Sequence, residues 1–184
     1  SLIRAGAIEE IIMVGIYNTD DRLEEYTDSP LGRSYASFVV NVVKPLVDST
    51  YRTMQEREHT GVIGSSMGGL ISILFAAWHP EVFSMAAGMS SSIGPGLSNA
   101  GMEKLLTATP LRKDSKIYFD VGELEPRLIP GSNALAALLD QQGFTQGVNM
   151  EYVIQPGAVH NELAWSHRLW KPLVFMFGTP KSAK

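Results

Sequence analysis

Cysteine is absent from the 184-residue sequence, which excludes disulfides, thiolate metal sites and a cysteine nucleophile. Long apolar runs are missing too, since none approaches the roughly 18 residues that a membrane-spanning helix requires. Charge is modest: 18% of residues are charged and the net charge is −4, which favours neither nucleic acid nor an anionic membrane as a partner. No His/Asp cluster has the spacing of metal ligands, and we expect no metal or other cofactor.

The residues that are present indicate one globular domain. A hydrophobic fraction of 45% in a chain of this length suffices for a substantial core, and no linker or repeat divides residues 1–184. The chain starts at Ser1 without an initiator methionine or a signal peptide, which is typical of a processed or truncated start. The compartment stays open, with the cytoplasm slightly favoured.

Strand-like and helix-like segments alternate along the chain. β-branched apolar runs predict strands at residues 10–17, 116–121 and 150–154, and apolar stripes predict helices over residues 35–55 and 162–177. Pro45 lies inside the first of these helices and should end or kink it. This alternation indicates parallel βαβ units, so the predicted fold is α/β, with a mostly parallel sheet and flanking helices.

A G-x-S-x-G pentapeptide at residues 64–68 is the most informative motif. It follows the β-branched pair Val62-Ile63 and precedes an apolar helical run at residues 69–78, the strand–turn–helix context of a nucleophile elbow. There Ser66 would stand above the sheet edge as a nucleophile, and both flanking glycines should be required by strain and close packing. The alternative is a Gly/Ser loop that only joins a strand to a helix.

A serine hydroxyl needs a base, which follows the acid in the chain order Ser, Asp/Glu, His of α/β-hydrolases. His160 is the candidate base, because it alone lies on a loop after a predicted strand; its alternative role is to cap the next helix. The other histidines indicate surface or structural roles: His59 in a charged stretch, His79 at a helix end and His167 within the final helix.

The acid is expected in or after the strand at residues 116–121, where three carboxylates compete. Asp120 lies within that strand, while Glu123 and Glu125 follow it in a loop. Alternation places Glu123 and Glu125 on the same side, so spacing does not separate them. Any of the three could instead be a surface charge.

Several stretches occur in one order along nearly the whole chain. They are VGIYN (14–18), VKPLVD (43–48), GSSMGGL (64–70), PEVF (80–83), DVGELE (120–125) and GAVHNE (157–162). Together they resemble the Putative esterase family of α/β-hydrolases, which includes enterobactin esterases, feruloyl and acetyl-xylan esterase domains and S-formylglutathione hydrolases. The HNE ending, with Ala164-Trp165, is most similar to the siderophore-esterase branch.

The resemblance implies an α/β-hydrolase fold and a role for each matching residue. Ser66 becomes the nucleophile, His160 the base and Glu125, the fourth residue of the Gly-x-x-Asp/Glu turn, the acid. The backbone N–H of Met67 becomes one oxyanion-hole donor. Substrate-binding residues stay unassigned: Arg22, Tyr26, Trp165 and Trp170 could line a pocket, but each is more often a packing or surface residue.

The chain departs from the family at its N-terminal end, because residues 10–17 resemble the family's fourth strand and the earlier strands have no counterpart. Three explanations follow. The chain is a fragment; or it is a reduced hydrolase in which the loop at residues 17–19 approaches the oxyanion position; or a second subunit covers the exposed sheet edge in a homo-oligomer.

The predicted activity is a serine carboxylic-ester hydrolase that forms an acyl-enzyme with short-chain or soluble esters. A small-molecule ester is therefore the expected partner. Two alternatives stay open. One is a non-catalytic or weakly active binding module on a degraded hydrolase fold, since loss of an oxyanion donor costs roughly 10²–10³ in rate. The other is a serine amidase or peptidase.

Overall fold

A parallel sheet forms the centre of the computed structural model, which describes residues 1–93 and 99–179, except for the side chains of 99–103. Its strands lie side by side in chain order: β1 (Gly61–Ser65), β2 (Met85–Met89), β3 (Lys116–Gly122) and β4 (Met150–Gln155). All neighbouring pairs are parallel, and Ser65, Met89 and Asp120 are in register. The loops that follow the strands therefore leave the sheet at one common edge.

Helices flank this sheet and connect its strands. They are α1 (Arg22–Glu25), α2 (Pro30–Phe38), α3 (Lys44–Thr50), α4 (Met67–Trp78), α5 (Asn99–Ala108), α6 (Ile129–Gln141), α7 (Glu162–Ser166) and α8 (Trp170–Phe177). A π-helical turn spans Val39–Val43 and a 3₁₀ turn spans Arg57–His59. The alternation of strand and helix from β1 onward confirms the predicted α/β fold. Across the described ranges, no helix combines the length and apolarity that crossing a membrane would demand.

The core lies on both faces of the sheet because successive strand residues point to opposite sides. Phe119 packs in the larger cluster, with Ile73 of α4 and Leu139 of α6. Its neighbour Tyr118 packs in a second cluster, with Met176 of α8. Helix α4, which begins within the pentapeptide, buries every residue from its third to its eleventh, and this burial fixes its position on the sheet.

The first long helical stretch begins earlier than predicted and does not end at its proline. It starts at Pro30, because Ser29 caps it by accepting a hydrogen bond from the Gly32 N–H (2.9 Å) and proline suits the first helical position. Pro45 lies in the first turn of α3, directly after the π-helical turn, and the backbone there stays right-handed helical. The helical path thus continues through Pro45 by way of a π-helical turn, the form in which π-helix usually occurs inside α-helices.

Residues 10–17, predicted as a strand, form none, and this prediction was wrong. A strand exists only within a ladder, and β1 is the outermost strand of the described sheet on that side. The N-terminal segment instead makes a single antiparallel bridge from Ile8 to Gly178, after α8. Met13 is left 63% exposed and Tyr17 96% exposed. That a second subunit covers this edge stays a prediction.

The closing helix is divided in two, at a point the sequence did not indicate. The break between α7 and α8 falls at residues 167–169, and Pro172 lies in the first turn of α8, where its missing N–H costs nothing. The division lets α7 lie beside the loop of His160 while α8 packs along β2 and β3. The segment predicted as one helix thus forms two: α7 lies near the site and α8 packs in the core.

Candidate active site

Ser66 occupies a sharp turn between β1 and α4. Its backbone has φ 56° and ψ −123°, a conformation that costs a non-glycine residue about 1–3 kcal/mol. The turn is held on both sides: the Ser66 N–H donates to the Met89 carbonyl (2.9 Å), and the Ser66 carbonyl accepts from the N–H of Ser92 (3.0 Å) and of Gly69 (3.1 Å). Neighbouring backbone therefore imposes the strain, and the side chain projects beyond the sheet edge.

The two glycines of the pentapeptide differ in what they make possible. A Cβ at Gly64 would lie 2.3 Å from the Gly68 carbonyl oxygen, so only glycine lets the strand and the helix approach this closely. A Cβ built at Gly68 would meet nothing within 4 Å. The expectation that both glycines are sterically required was therefore wrong for Gly68.

His160 lies on the loop after β4 and reaches across to Ser66. Its Nε2 is 2.8 Å from Ser66 Oγ, and its Nδ1 is 2.5 Å from Glu125 Oε1. The His160 side chain is 40% exposed, whereas that of Glu125 is 3% exposed. The structure thus brings together the three residues that the resemblance implies, although they are far apart in the chain.

The three competing carboxylates occupy different environments. Glu125 faces His160, and its other oxygen, Oε2, accepts hydrogen bonds from Ser90 Oγ (2.6 Å) and from the Gly122 N–H. Glu123 is exposed, and its Oε2 accepts from the Gly157 N–H (2.8 Å), which ties the two loops together. Asp120 is fully buried and pairs with Arg168. Of the three, only Glu125 is in contact with the imidazole.

The residues after His160 hold its loop against the protein. Asn161 caps α7, since its Oδ1 accepts from the Ala164 N–H (2.9 Å). Four residues further on, the buried Trp165 presents its ring edge-on to His160, with centroids 5.0 Å apart and planes at 85°. Asn161 and Trp165 thus hold the loop and the ring of His160 in place.

The other three histidines lie away from this cluster. His59 ends the 3₁₀ turn and is exposed, and His167 is exposed at the end of α7. His79 ends α4, with its Nδ1 3.1 Å from a carboxylate oxygen of Glu81. None of them contacts Ser66 or a carboxylate of the site.

Family comparison gives this geometry its context. A family model described as "Putative esterase" matches residues 1–176. The chain belongs to this esterase family. Among curated proteins, the uncharacterized protein YbbA of Bacillus subtilis (strain 168) is 24% identical over 196 residues, covering 95% of this chain and 76% of YbbA.

Solved structures of other proteins share the fold. The enterobactin esterase FES from Shigella flexneri, crystallised with 2,3-dihydroxy-N-benzoyl-glycine, is similar with a TM-score of 0.80 at 21% identity, over 95% of this chain and 46% of FES. The BES protein from Bacillus cereus is similar with a TM-score of 0.68 at 17% identity, over 91% of this chain and 67% of BES. At these identities the likeness shows the α/β-hydrolase fold alone, and this chain spans less than half of FES.

Sequence reasoning missed four side chains around the esterase-family site. Ser90 and Arg168 lie behind Glu125, with Asp120 between the guanidinium and Tyr118. Ser92 lies beside Ser66, and the two Oγ atoms are 3.2 Å apart. Burial and the adjacent Asp120 carboxylate raise the pKa of Tyr118 well above its ordinary value, so it stays a hydrogen-bond donor. The only sequence signal was an arginine within an apolar closing segment.

The residues considered for substrate contact have other partners. Tyr26 stacks on Tyr35 (5.4 Å between centroids) and carries the Arg22 guanidinium over its ring, while Trp170 is 52% exposed. Trp165 packs on His160. In the two described ranges, no group of three or more His, Cys, Asp or Glu residues is arranged to hold a metal ion.

Proposed function

We propose that the chain is a serine carboxylic-ester hydrolase that works through an acyl-enzyme on short-chain or soluble esters. The observation that carries this proposal is the continuous contact from Ser66 Oγ through both ring nitrogens of His160 to Glu125. A serine hydroxyl becomes a nucleophile when an oriented base accepts its proton. Membership of the esterase family supports an ester as the bond that is cleaved.

In the first half-reaction, Ser66 Oγ bonds to the ester carbonyl carbon while its proton moves to His160 Nε2. The carbonyl π electrons move onto oxygen, and Glu125 stabilises the imidazolium that forms. Collapse of the tetrahedral intermediate breaks the bond to the alkoxy oxygen, and His160 returns the proton to the leaving alcohol. Water then attacks the acyl carbon and gives its proton to His160, which passes it to Ser66 as the acid departs.

The oxyanion donor we assign is the backbone N–H of Met67. Met67 is the first residue of α4, and the first N–H groups of a helix have no partner within it. The positive end of the helix dipole adds to this N–H. The suggestion that residues 17–19 supply a second donor stays a prediction; the Thr19 N–H contacts Glu25 Oε2 at 3.5 Å.

The substrate class we propose is a soluble ester, including esters of dihydroxybenzoyl amino acids. The exposure of His160 supports access from water. Two features support the esters of dihydroxybenzoyl amino acids. One is the likeness to the enterobactin esterase, and the other is the HNE ending, in which Asn161 caps α7 and Trp165 packs on His160. Both kinds of ester can be assayed with the same purified protein.

The test replaces Ser66 by alanine and uses the same substitution at an exposed serine elsewhere in the chain as the control. We expect Ser66→Ala to lower kcat for p-nitrophenyl acetate by at least about 10³-fold and to abolish labelling by a fluorophosphonate. Ser34→Ala, which removes an exposed hydroxyl on α2, should leave both unchanged. Undiminished hydrolysis by Ser66→Ala would overturn the assignment. A wild-type protein that neither hydrolyses nor labels would instead favour a non-catalytic binding module.

A further inference from the structure

Four side chains that are at most 9% exposed lie behind Glu125 and do not contact Ser66. We call them the acid support: Ser90, Asp120, Trp165 and Arg168. Ser90 and Asp120 are 0% exposed, and Arg168 is 3% exposed. Burial of an arginine and an aspartate is costly unless their hydrogen bonds are satisfied, so their placement here calls for a physical explanation.

The direction of the Ser90 hydroxyl proton follows from its partners. Ser90 Oγ lies 3.0 Å from Trp165 Nε1 and 2.7 Å from Arg168 Nη2. An indole and a guanidinium can only donate, so both lone pairs of the hydroxyl oxygen are used as acceptors. Its single proton is left to donate to Glu125 Oε2, 2.6 Å away.

This fixed donation determines which Glu125 oxygen serves His160. Oε2 already accepts from Ser90 and from the Gly122 N–H, so it carries no proton and its donors are in place. An ionised Glu125 only accepts, so His160 Nδ1, which faces its Oε1, donates to it. The neutral imidazole then has its proton on Nδ1, and its bare Nε2 faces Ser66 Oγ, as a general base requires.

Arg168 in turn is held in a single orientation. Its Nε donates to Asp120 Oδ2 and its Nη2 to Asp120 Oδ1, both at 3.0 Å, the bidentate geometry of an arginine–carboxylate pair. The Ser90 N–H also donates to Asp120 Oδ1 (3.0 Å), and the Tyr118 hydroxyl donates to Oδ2 (2.9 Å). Asp120 thus balances the charge of Arg168 and anchors Ser90, whose φ of 45° is itself unusual for a serine.

We infer that Ser90 and Arg168 are positioning residues of this site, which set the direction of the hydrogen-bond chain through Glu125 and so keep the His160 Nε2 free to act as a base. The inference rests on the proposed function for its kinetic consequence. Its structural consequence, the Nδ1–H of His160 held on Glu125, is measurable without any substrate.

The experiment compares two adjacent serines. Ser90→Ala removes the hydroxyl that donates to Glu125, and Ser91→Ala is the matched control, because the buried Ser91 hydroxyl has no hydrogen-bond partner among the described residues. Two readouts are used for each variant. One is kcat and KM for p-nitrophenyl acetate. The other is the far-downfield proton resonance of the His160 Nδ1–H, assigned by its loss in His160→Gln.

We expect Ser90→Ala to lower kcat about 10- to 100-fold, the range typical for removing an outer partner of a functional group, with KM little changed. Its downfield resonance should shift or vanish, and Ser91→Ala should match the wild type in both readouts. Wild-type kcat and an unmoved resonance in a folded Ser90→Ala would overturn the inference. If the wild type hydrolyses no ester, the proposed function fails, and the resonance alone decides the positioning role.

Arg168→Lys covers the case in which Ser90→Ala does not fold. Lysine keeps the charge opposite Asp120, but its single ammonium cannot reproduce the guanidinium's fork and the bond to Ser90 together. We expect kcat to fall about 10-fold or more, with the same change in the resonance. A folded Arg168→Lys protein with wild-type kcat and resonance would overturn the inference.

Discussion

The two sides of His160 are held in place by different means. On the acid side, Glu125 is buried and is fixed by side-chain hydrogen bonds that reach from His160 through Ser90 to Arg168. On the nucleophile side, Ser66 is fixed by its backbone, through a strained turn and backbone hydrogen bonds to the ends of β2 and α4. A substitution that changes a hydrogen-bonding group should therefore lower activity on the acid side. An added methyl group near the backbone turn should lower stability and activity on the nucleophile side.

The difference has a physical reason. A buried carboxylate must be surrounded by donors, and those of Glu125 are the Ser90 hydroxyl, the Gly122 N–H at the end of β3 and the His160 imidazole. A nucleophile must instead be reached by substrate, so few side chains can enclose it. Strained backbone keeps such a residue in place without covering it.

The largest effect should come from changing one atom on the acid side. Glu125→Gln gives the side chain an NH₂ group that must face either His160 Nδ1–H or the donors Ser90 and Gly122, so donor meets donor in both orientations. We expect kcat for p-nitrophenyl acetate to fall by about 10²–10⁴, the order known for such amides in serine triads.

Glu123→Gln is the matched control for this exchange. Glu123 is two residues away and exposed, and its contact is the backbone N–H of Gly157, which an amide oxygen also accepts. Its kcat should stay within about twofold of the wild type, as for surface substitutions in general. Equal losses in the two variants would contradict Glu125 as the acid.

The next effect should come from one methyl group on the nucleophile side. Gly64→Ala places a Cβ 2.3 Å from the Gly68 carbonyl oxygen, a backbone atom that cannot move without opening the elbow. We expect the free energy of unfolding to fall by about 1–3 kcal/mol, as in overpacked sites, and turnover to fall with it. Urea denaturation followed by circular dichroism measures the first quantity.

Gly68→Ala, at the other end of the same motif, should behave in the opposite way. The new Cβ meets nothing within 4 Å, and alanine favours a helix over glycine by about 0.5–1 kcal/mol. Its unfolding free energy should be unchanged or higher. Equal destabilisation of the two variants would show that the tight approach of strand and helix is not what holds the elbow.

The same contrast explains how much the sequence could predict. The elbow was recognisable because its backbone conformation requires particular residues close together in the sequence. These form a strand, a G-x-S-x-G turn and a helix around Ser66. The order of residues and the family resemblance also indicated His160. The acid support was not recognisable, because Ser90 and Arg168 meet only through tertiary packing and no spacing rule links them.

The wrong strand prediction at residues 10–17 has a related cause. A β-branched apolar pattern indicates residues that fit well into a β-sheet, but a strand forms only when a neighbouring strand is there to pair with it. Of the described residues, none pairs with this segment as a strand, and most of its apolar side chains stay exposed, although Ile16 packs on the core. Local pattern thus predicted the strands whose partners lie within the described sheet, and was wrong where no partner strand lies among the described residues.

The smallest effect should come from the side chain beside the nucleophile. Ser66 has one proton, which faces His160 Nε2, so Ser92 Oγ at 3.2 Å can only donate to the Ser66 oxygen. This contact is long and joins two neutral groups, worth about 0.5–1.5 kcal/mol, while the Ser92 backbone N–H holds Ser66 independently of the side chain. We expect Ser92→Ala to lower kcat about 2- to 10-fold, with unchanged unfolding in urea.

Ser91→Ala again serves as the neighbouring control and should match the wild type in kcat. A loss above about 100-fold in Ser92→Ala would exceed one neutral hydrogen bond and would mean that the hydroxyl, rather than the backbone, fixes the nucleophile. The two sides of His160 would then be built alike. A small loss, set against the destabilisation expected for Gly64→Ala, would leave the backbone as the element that holds Ser66 in place.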